Sequence, residues 1–190
     1  MIIGWIVLIL PILILLLVVV FLVLTFFSSI ISSLHGAPYV PIKRRHIKSL
    51  LSWAGLSADD IFYDLGCGDG RLLISAVKDS GVKGAIGYEV AIWPYLEARF
   101  ACWNSGVDGR IKIFRRDFLK TDLGEASFIY AYLFPGLINK LASKMAGELR
   151  TGTKILCPSF PIDLERHPEF KLLKTGKFDK ITAYLYEKYE

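Results

Sequence analysis

The first pattern along the chain is an apolar run. Residues 2–27 interrupt their hydrocarbon character only at Gly4, Pro11 and Thr25. As a helix this run would be about 39 Å long at roughly 1.5 Å per residue. The hydrocarbon core of a bilayer is about 30 Å thick, so the segment can cross with some tilt. Pro11 is tolerable there, because neighbouring groups re-satisfy the freed backbone carbonyl. A secretory signal would carry a basic leading region and a shorter apolar stretch. Neither is found, and the reading is an uncleaved transmembrane anchor over residues 1–31. Residues 32–41 follow with Ser, Gly36, Pro38 and Pro41, a linker biased to an extended path. The expected domain is residues 42–190.

Within that domain the pattern alternates between periods near 3.6 and near 2. Residues 42–54 read as a helix with Ile47, Leu50, Leu51 and Trp53 on one face and Gly55 at its end. "DIFYDL" reads as a strand, and Arg71 to Asp79 as a helix burying Leu72, Leu73, Ala76 and Val77. "GAIGYE" is a second strand. Residues 94–104 are expected as a helix with Tyr95, Leu96, Phe100 and Trp103 inward, closed at Gly106. "RIKIFRRD" and "SFIYAYLF" read as the third and fourth strands. Residues 135–149 follow as a helix with Leu137, Ile138, Leu141, Ala142, Met145 and Leu149 on one face. "TKILCP" is a fifth strand, and the tail reads as an antiparallel hairpin turning around Gly176. Alternating strands and helices predict right-handed βαβ units: an α/β fold with a parallel sheet covered on both faces.

Charge adds an orientation. No Lys, Arg, Asp or Glu precedes Lys43, and Lys43, Arg44, Arg45 and Lys48 follow the apolar run closely. The positive-inside rule then puts the C-terminal domain on the cytoplasmic, or matrix-equivalent, side. The same cations suit anionic headgroups, at about 1 kcal/mol each near the surface. The net charge of +5 is accounted for by this bilayer partnership. Lys112, Arg115, Arg116, Lys140 and Lys144 lack the interleaved aromatics of a nucleic-acid track, so no nucleic-acid partner is expected. Cys67, Cys102 and Cys157 have neither metal-ligand nor disulfide spacing. No metal site is expected. His35, His46 and His167 fall in the linker, the basic helix and an expected surface loop, and none reads as a general base.

"DLGCGDGR", residues 64–71, stands between the first strand and its helix, where open α/β sheets bind ligands. Gly66, Gly68 and Gly70 allow a tight turn and close backbone approach. A dinucleotide fingerprint needs a third glycine where this chain has Arg71, so that match fails. Asp64, ahead of the glycines, would repel a pyrophosphate and hold a cation. S-adenosyl-L-methionine carries a sulfonium and an ammonium and no phosphate. Glu89, ending the second strand, suits ribose hydroxyls. Asp117, after the third strand, either accepts from an adenine amino group, with Phe118 against the ring, or is a surface turn residue. "YAYLFP" at the end of the fourth strand offers Tyr132 and Phe134. These either face a cationic cofactor and an amine acceptor or fill the core as ordinary strand aromatics. Tyr130 reads as core.

Together "DLGCGDGR", "GYE", "RRDF" and the hairpin tail resemble the class I, seven-β-strand S-adenosylmethionine-dependent methyltransferases, over roughly residues 39–190. "APYVP" and "YLFP" resemble, more narrowly, the small membrane-anchored protein-lysine methyltransferases, whose animal members modify the ADP/ATP carrier and the c-subunit of ATP synthase. The resemblance implies a Rossmann-like seven-stranded sheet of order 3-2-1-4-5-7-6 with the last strand antiparallel. It also implies cofactor contacts near Asp64, Gly66, Gly68, Gly70, Glu89 and Asp117. One departure is "SFPIDLERHPEF", which is too short for a full helical crossover. The expected function is therefore methyl transfer to a lysine amine of a membrane protein. A lipid or quinone headgroup as acceptor, and a cofactor-binding module without catalysis, are the alternatives.

Overall fold

A computed structural model describes residues 2–34 and 44–190 of the chain. Residues 35–41 of the expected linker, and Lys43 of the basic cluster, lie outside the described residues. The apolar run forms one helix, α1 (Ile2–Leu34), and its stretch Ile9–Phe26 is long and apolar enough to cross a membrane, with none of its side chains buried.

The remainder builds one seven-stranded sheet. In chain order come α2 (Arg44–Ala54), β1 (Ile61–Leu65), α3 (Arg71–Asp79), β2 (Gly84–Tyr88), α4 (Ile92–Ser105) and β3 (Ile111–Phe114). β4 (Phe128–Tyr130), α5 (Pro135–Glu148), β5 (Lys154–Pro158), β6 (Phe170–Phe178) and β7 (Ile181–Lys188) complete it. The sheet order is β3-β2-β1-β4-β5-β7-β6, parallel through β5, with β7 antiparallel to both neighbours. This is the order the resemblance implies.

The central strands are buried on both faces, which is why they read as apolar runs. Phe62, Phe128 and Leu156 face a core shared with Leu50, Leu51, Leu73 and Val77. Tyr63, Ile129 and Ile155 face a second core against Ile138, Leu141 and Met145 of α5. Gly87 in β2 permits the close fit of α3. A Cβ there would lie 2.6 Å from Leu73 Cδ1 and 2.8 Å from Cys67 Sγ.

Three expectations are corrected. In α4 only Tyr95 packs inward as expected; Leu96, Phe100 and Trp103 are exposed. The inner face belongs to Ala98 and Cys102, because the Gly70 backbone comes so close that a Cβ on it would sit 3.2 Å from Ala98 Cβ. Large side chains have no room there. Second, the hairpin turns at Asp179–Lys180, with Asp179 at φ 57°, and not around Gly176. Gly176 lies within β6, where a Cβ would be 2.8 Å from the Trp53 ring, so this glycine makes room for α2 to dock. Lysines at 171, 174 and 177 discourage further pairing along the β6 edge. Third, His167 is buried and not a surface loop residue; its backbone N–H donates to the Asp163 carbonyl at 3.0 Å. The β5–β6 connection has turns and no helix, as its shortness predicts.

Candidate functional site

The carboxyl ends of β1, β2, β4 and β5 converge on the glycine loop. Gly66 and Cys67 donate to the Tyr88 carbonyl at 2.9 and 3.0 Å, folding the loop over the end of β2. Gly66, Gly68 and Gly70 hold φ of 90°, 53° and 75°, left-handed values that a side chain would strain. The loop then enters α3 directly at Arg71.

Asp64 ends up 2% exposed, in register with Gly87 on one side and Tyr130 on the other. Glu89 is also buried, and its two oxygens accept from the Gly68 N–H at 3.1 Å and the Ala91 N–H at 2.8 Å. Asp69 is tied to Arg71, whose Nε donates to it at 2.8 Å. Burial first, then the charges of Glu89 and Asp69, push the Asp64 carboxyl well above its ordinary range. Burial first, then the charges of Asp64 and Glu89, raise the Cys67 thiol, which disfavours the nucleophilic thiolate.

A buried, anionic cradle of this kind stabilises a cation brought to it. Its donor set fits S-adenosyl-L-methionine. The Asp64 carboxyl is of the kind that suits a positive group, Glu89 is of the kind that suits vicinal hydroxyls, and the glycines leave room for close backbone approach. A phosphate-bearing dinucleotide would meet two buried carboxylates instead. Among the described residues no cluster could hold a metal ion.

The other expected residues separate. Asp117 caps a short 3-10 turn, its Oδ1 accepting from the Leu119 N–H at 2.9 Å. Phe118 is buried in the second core with Tyr63 and Leu65. Tyr130 is fully buried, its hydroxyl pushed up by burial and then by Asp64. Tyr132 and Phe134 follow β4 into the loop before α5. The Ser159 hydroxyl donates to the Tyr132 hydroxyl at 3.2 Å, and the Phe134 ring lies 5.8 Å from that of Phe160. Ser159 and Phe160 were not singled out from the sequence. Their signal was position: they leave β5 at the same sheet edge as the glycine loop. Ser159 holds φ 66°, a strained value for a residue with a Cβ and of the kind that clusters at working sites.

Comparison with known proteins agrees with this geometry. Residues 64–169 match the ANTKMT methyltransferase domain. A protein-lysine N-methyltransferase of Saccharolobus islandicus (strain REY15A) is 36% identical over 149 residues, covering 78% of this chain and 92% of that protein. The adenine nucleotide translocase lysine N-methyltransferase of Mus musculus is 30% identical over 125 residues, covering 66% of this chain and 54% of that protein. The chain thus spans about half the length of this animal relative. Among solved structures, an RNA methyltransferase from Salinibacter ruber in complex with S-adenosyl-L-homocysteine superposes with TM-score 0.73 at 26% identity, over 80% of this chain and 95% of that one.

Proposed function

Since the chain belongs to the ANTKMT methyltransferase family and is an S-adenosyl-L-methionine-dependent methyltransferase, we propose that it methylates the ε-amine of a lysine in a membrane protein. In this reading residues 1–31 anchor the enzyme as a single-pass helix, 32–41 link, and 42–190 catalyse on the cytoplasmic or matrix-equivalent side. The observation that carries the reading is the buried Asp64–Glu89 cradle, with Tyr132, Phe134 and Phe160 leaving β4 and β5 at the same end of the sheet. The printed activities of the archaeal and mouse relatives support lysine as acceptor, and α1 supports a membrane setting.

Asp64, Gly66, Gly68, Gly70 and Glu89 would hold the cofactor, which supplies an electrophilic methyl group on a sulfonium. Asp117 and Phe118 are assigned to the adenine end, Asp117 through the oxygen that the Leu119 N–H leaves unused. The remaining work is orientation and desolvation of the amine. A lysine near its reference pKa of about 10.4 costs roughly 4 kcal/mol to deprotonate at about pH 7.4. A half-buried aromatic rim lowers that cost by disfavouring the charged form. Tyr132, its hydroxyl oriented by Ser159, accepts from the amine and directs its lone pair. Phe134 keeps water from the approach. The amine proton leaves to solvent.

Full-length enzyme incubated with methyl-labelled cofactor and membranes tests this, followed by separation of protein from lipid. Label in the protein fraction is expected. Label confined to the lipid extract would move the acceptor to a headgroup or quinone.

A further inference from the structure

The exposed face of α4 is the largest feature that the catalytic account leaves unused. At about 100° per residue, Ile92, Trp103, Leu96, Phe100 and Trp93 fall in one continuous arc about 100° wide. All five are exposed, Trp93 least because it meets α1, and Phe100 and Trp103 are 65% and 66% exposed. Soluble surfaces rarely concentrate large aromatic groups in this way without a partner.

Two observations identify the partner. The first is depth. The Phe21 ring of α1 meets Trp93 edge-on at 5.4 Å. Phe21 lies six residues, about 9 Å of helix, before the apolar run ends at Phe27. Interfacial helices sink their apolar face roughly 5–10 Å into the headgroup–acyl boundary. With α1 spanning, α4 therefore meets the bilayer at interfacial depth. The second is chemistry. Tryptophan and phenylalanine beside basic residues are the composition of a membrane-surface face. Arg99 flanks the arc on one side, and Arg110 and Lys112 are exposed on the adjoining turn and strand. Glu97, the acidic residue of α4, sits on the far flank.

We propose that the Ile92–Trp103 face of α4 docks the catalytic domain onto the bilayer interface, with Arg99, Arg110 and Lys112 against anionic headgroups. The proposal rests on the reading of α1 as a membrane anchor. It goes beyond tethering, because α4 starts just after Glu89: a docked face holds the cofactor cradle at headgroup level. An acceptor lysine would then be one that lies near the membrane surface, not one on a distant soluble domain.

The test uses full-length enzyme in phosphatidylcholine–phosphatidylglycerol vesicles whose acyl chains carry bromine at a shallow or a deep position. Two variants retain Trp53 as a constant background. One keeps Trp103 (W5F, W93F) and reports the face; the other keeps Trp5 (W93F, W103F) and reports the anchor. The expected result is Trp103 quenched most by shallow bromines, Trp5 quenched as well, and loss of the Trp103 quenching in F100E. Trp5 quenched with Trp103 accessible to aqueous iodide overturns the docking and leaves the anchor standing. Neither quenched means that the anchor reading itself has failed and takes the docking with it. Shielding of Trp103 that follows protein concentration, or added acceptor protein, instead of lipid overturns the proposal in favour of a second copy or a substrate.

Discussion

Asp64 concentrates the chemistry in one side chain. Its burial beside Glu89 and Asp69 raises its carboxyl pKa, so in the cofactor-free protein the folded state holds that proton more tightly than the unfolded chain does. The destabilising contribution is present in full above the raised pKa and fades as pH falls toward the ordinary value of 3.8. D64N removes it. The cofactor-free variant should melt higher than the parent at neutral pH, with the gain shrinking toward acid, as read by scanning calorimetry. The same substitution should weaken cofactor binding by about 10- to 100-fold, the loss of a buried charge-assisted contact of roughly 1.5–3 kcal/mol. For the parent, affinity should rise with pH through the raised pKa; for D64N titration calorimetry should give a flat profile. A more stable variant that still binds normally would mean that the cation sits elsewhere. Tyr132→Phe belongs to the acceptor side. It should lower kcat by about 10-fold, the loss of one orienting hydrogen bond of roughly 1.5 kcal/mol, while the cofactor Kd stays put.

At the scale of elements, the loop, α3 and α4 interlock through small residues. Ala98→Leu should cost about 1–3 kcal/mol by overpacking against the Gly70 backbone, which lowers Tm by roughly 2–4 °C per kcal/mol in a chain of this size. Phe100→Ser, on the outer face of the same helix, should stay within about 0.5 kcal/mol in detergent. The reverse ranking would mean that α4 is turned the other way. This helix also marks how far the sequence could be read. Strands and helices were legible because β1 to β5 are buried on both faces and α3 and α5 carry one apolar stripe each. In α4 both faces are apolar, so periodicity offers two candidate inner faces. The larger side chains suggested the wrong one, since only contact with Gly70 selects for Ala98 and Cys102. Likewise Asp64 and Glu89 stood out by their place after strands. Ser159 and Phe160 did not, because their role depends on β5 ending beside β4, a tertiary fact.

Across the whole molecule, a catalytic domain with its cradle at the sheet's carboxyl edge is joined to a helix suited to a bilayer. Two lysines in the middle of that helix, Leu13→Lys and Leu17→Lys, should each add about 2.5–3.5 kcal/mol to its insertion. The variant should be released by alkaline carbonate while its cofactor affinity is unchanged. Retention in the membrane pellet would mean that α1 is not what holds the enzyme there. Whether lysine nitrogen on a membrane protein receives the methyl group is decided by residue-level mass spectrometry. Membranes lacking the enzyme are incubated with the full-length protein and trideuteromethyl-labelled cofactor, and every modified peptide is sequenced. Deuterated methyl is expected on the ε-nitrogen of a lysine close to a membrane-spanning segment, and is lost in D64N. Label on other atoms, or on lysines of soluble proteins alone, would contradict that acceptor.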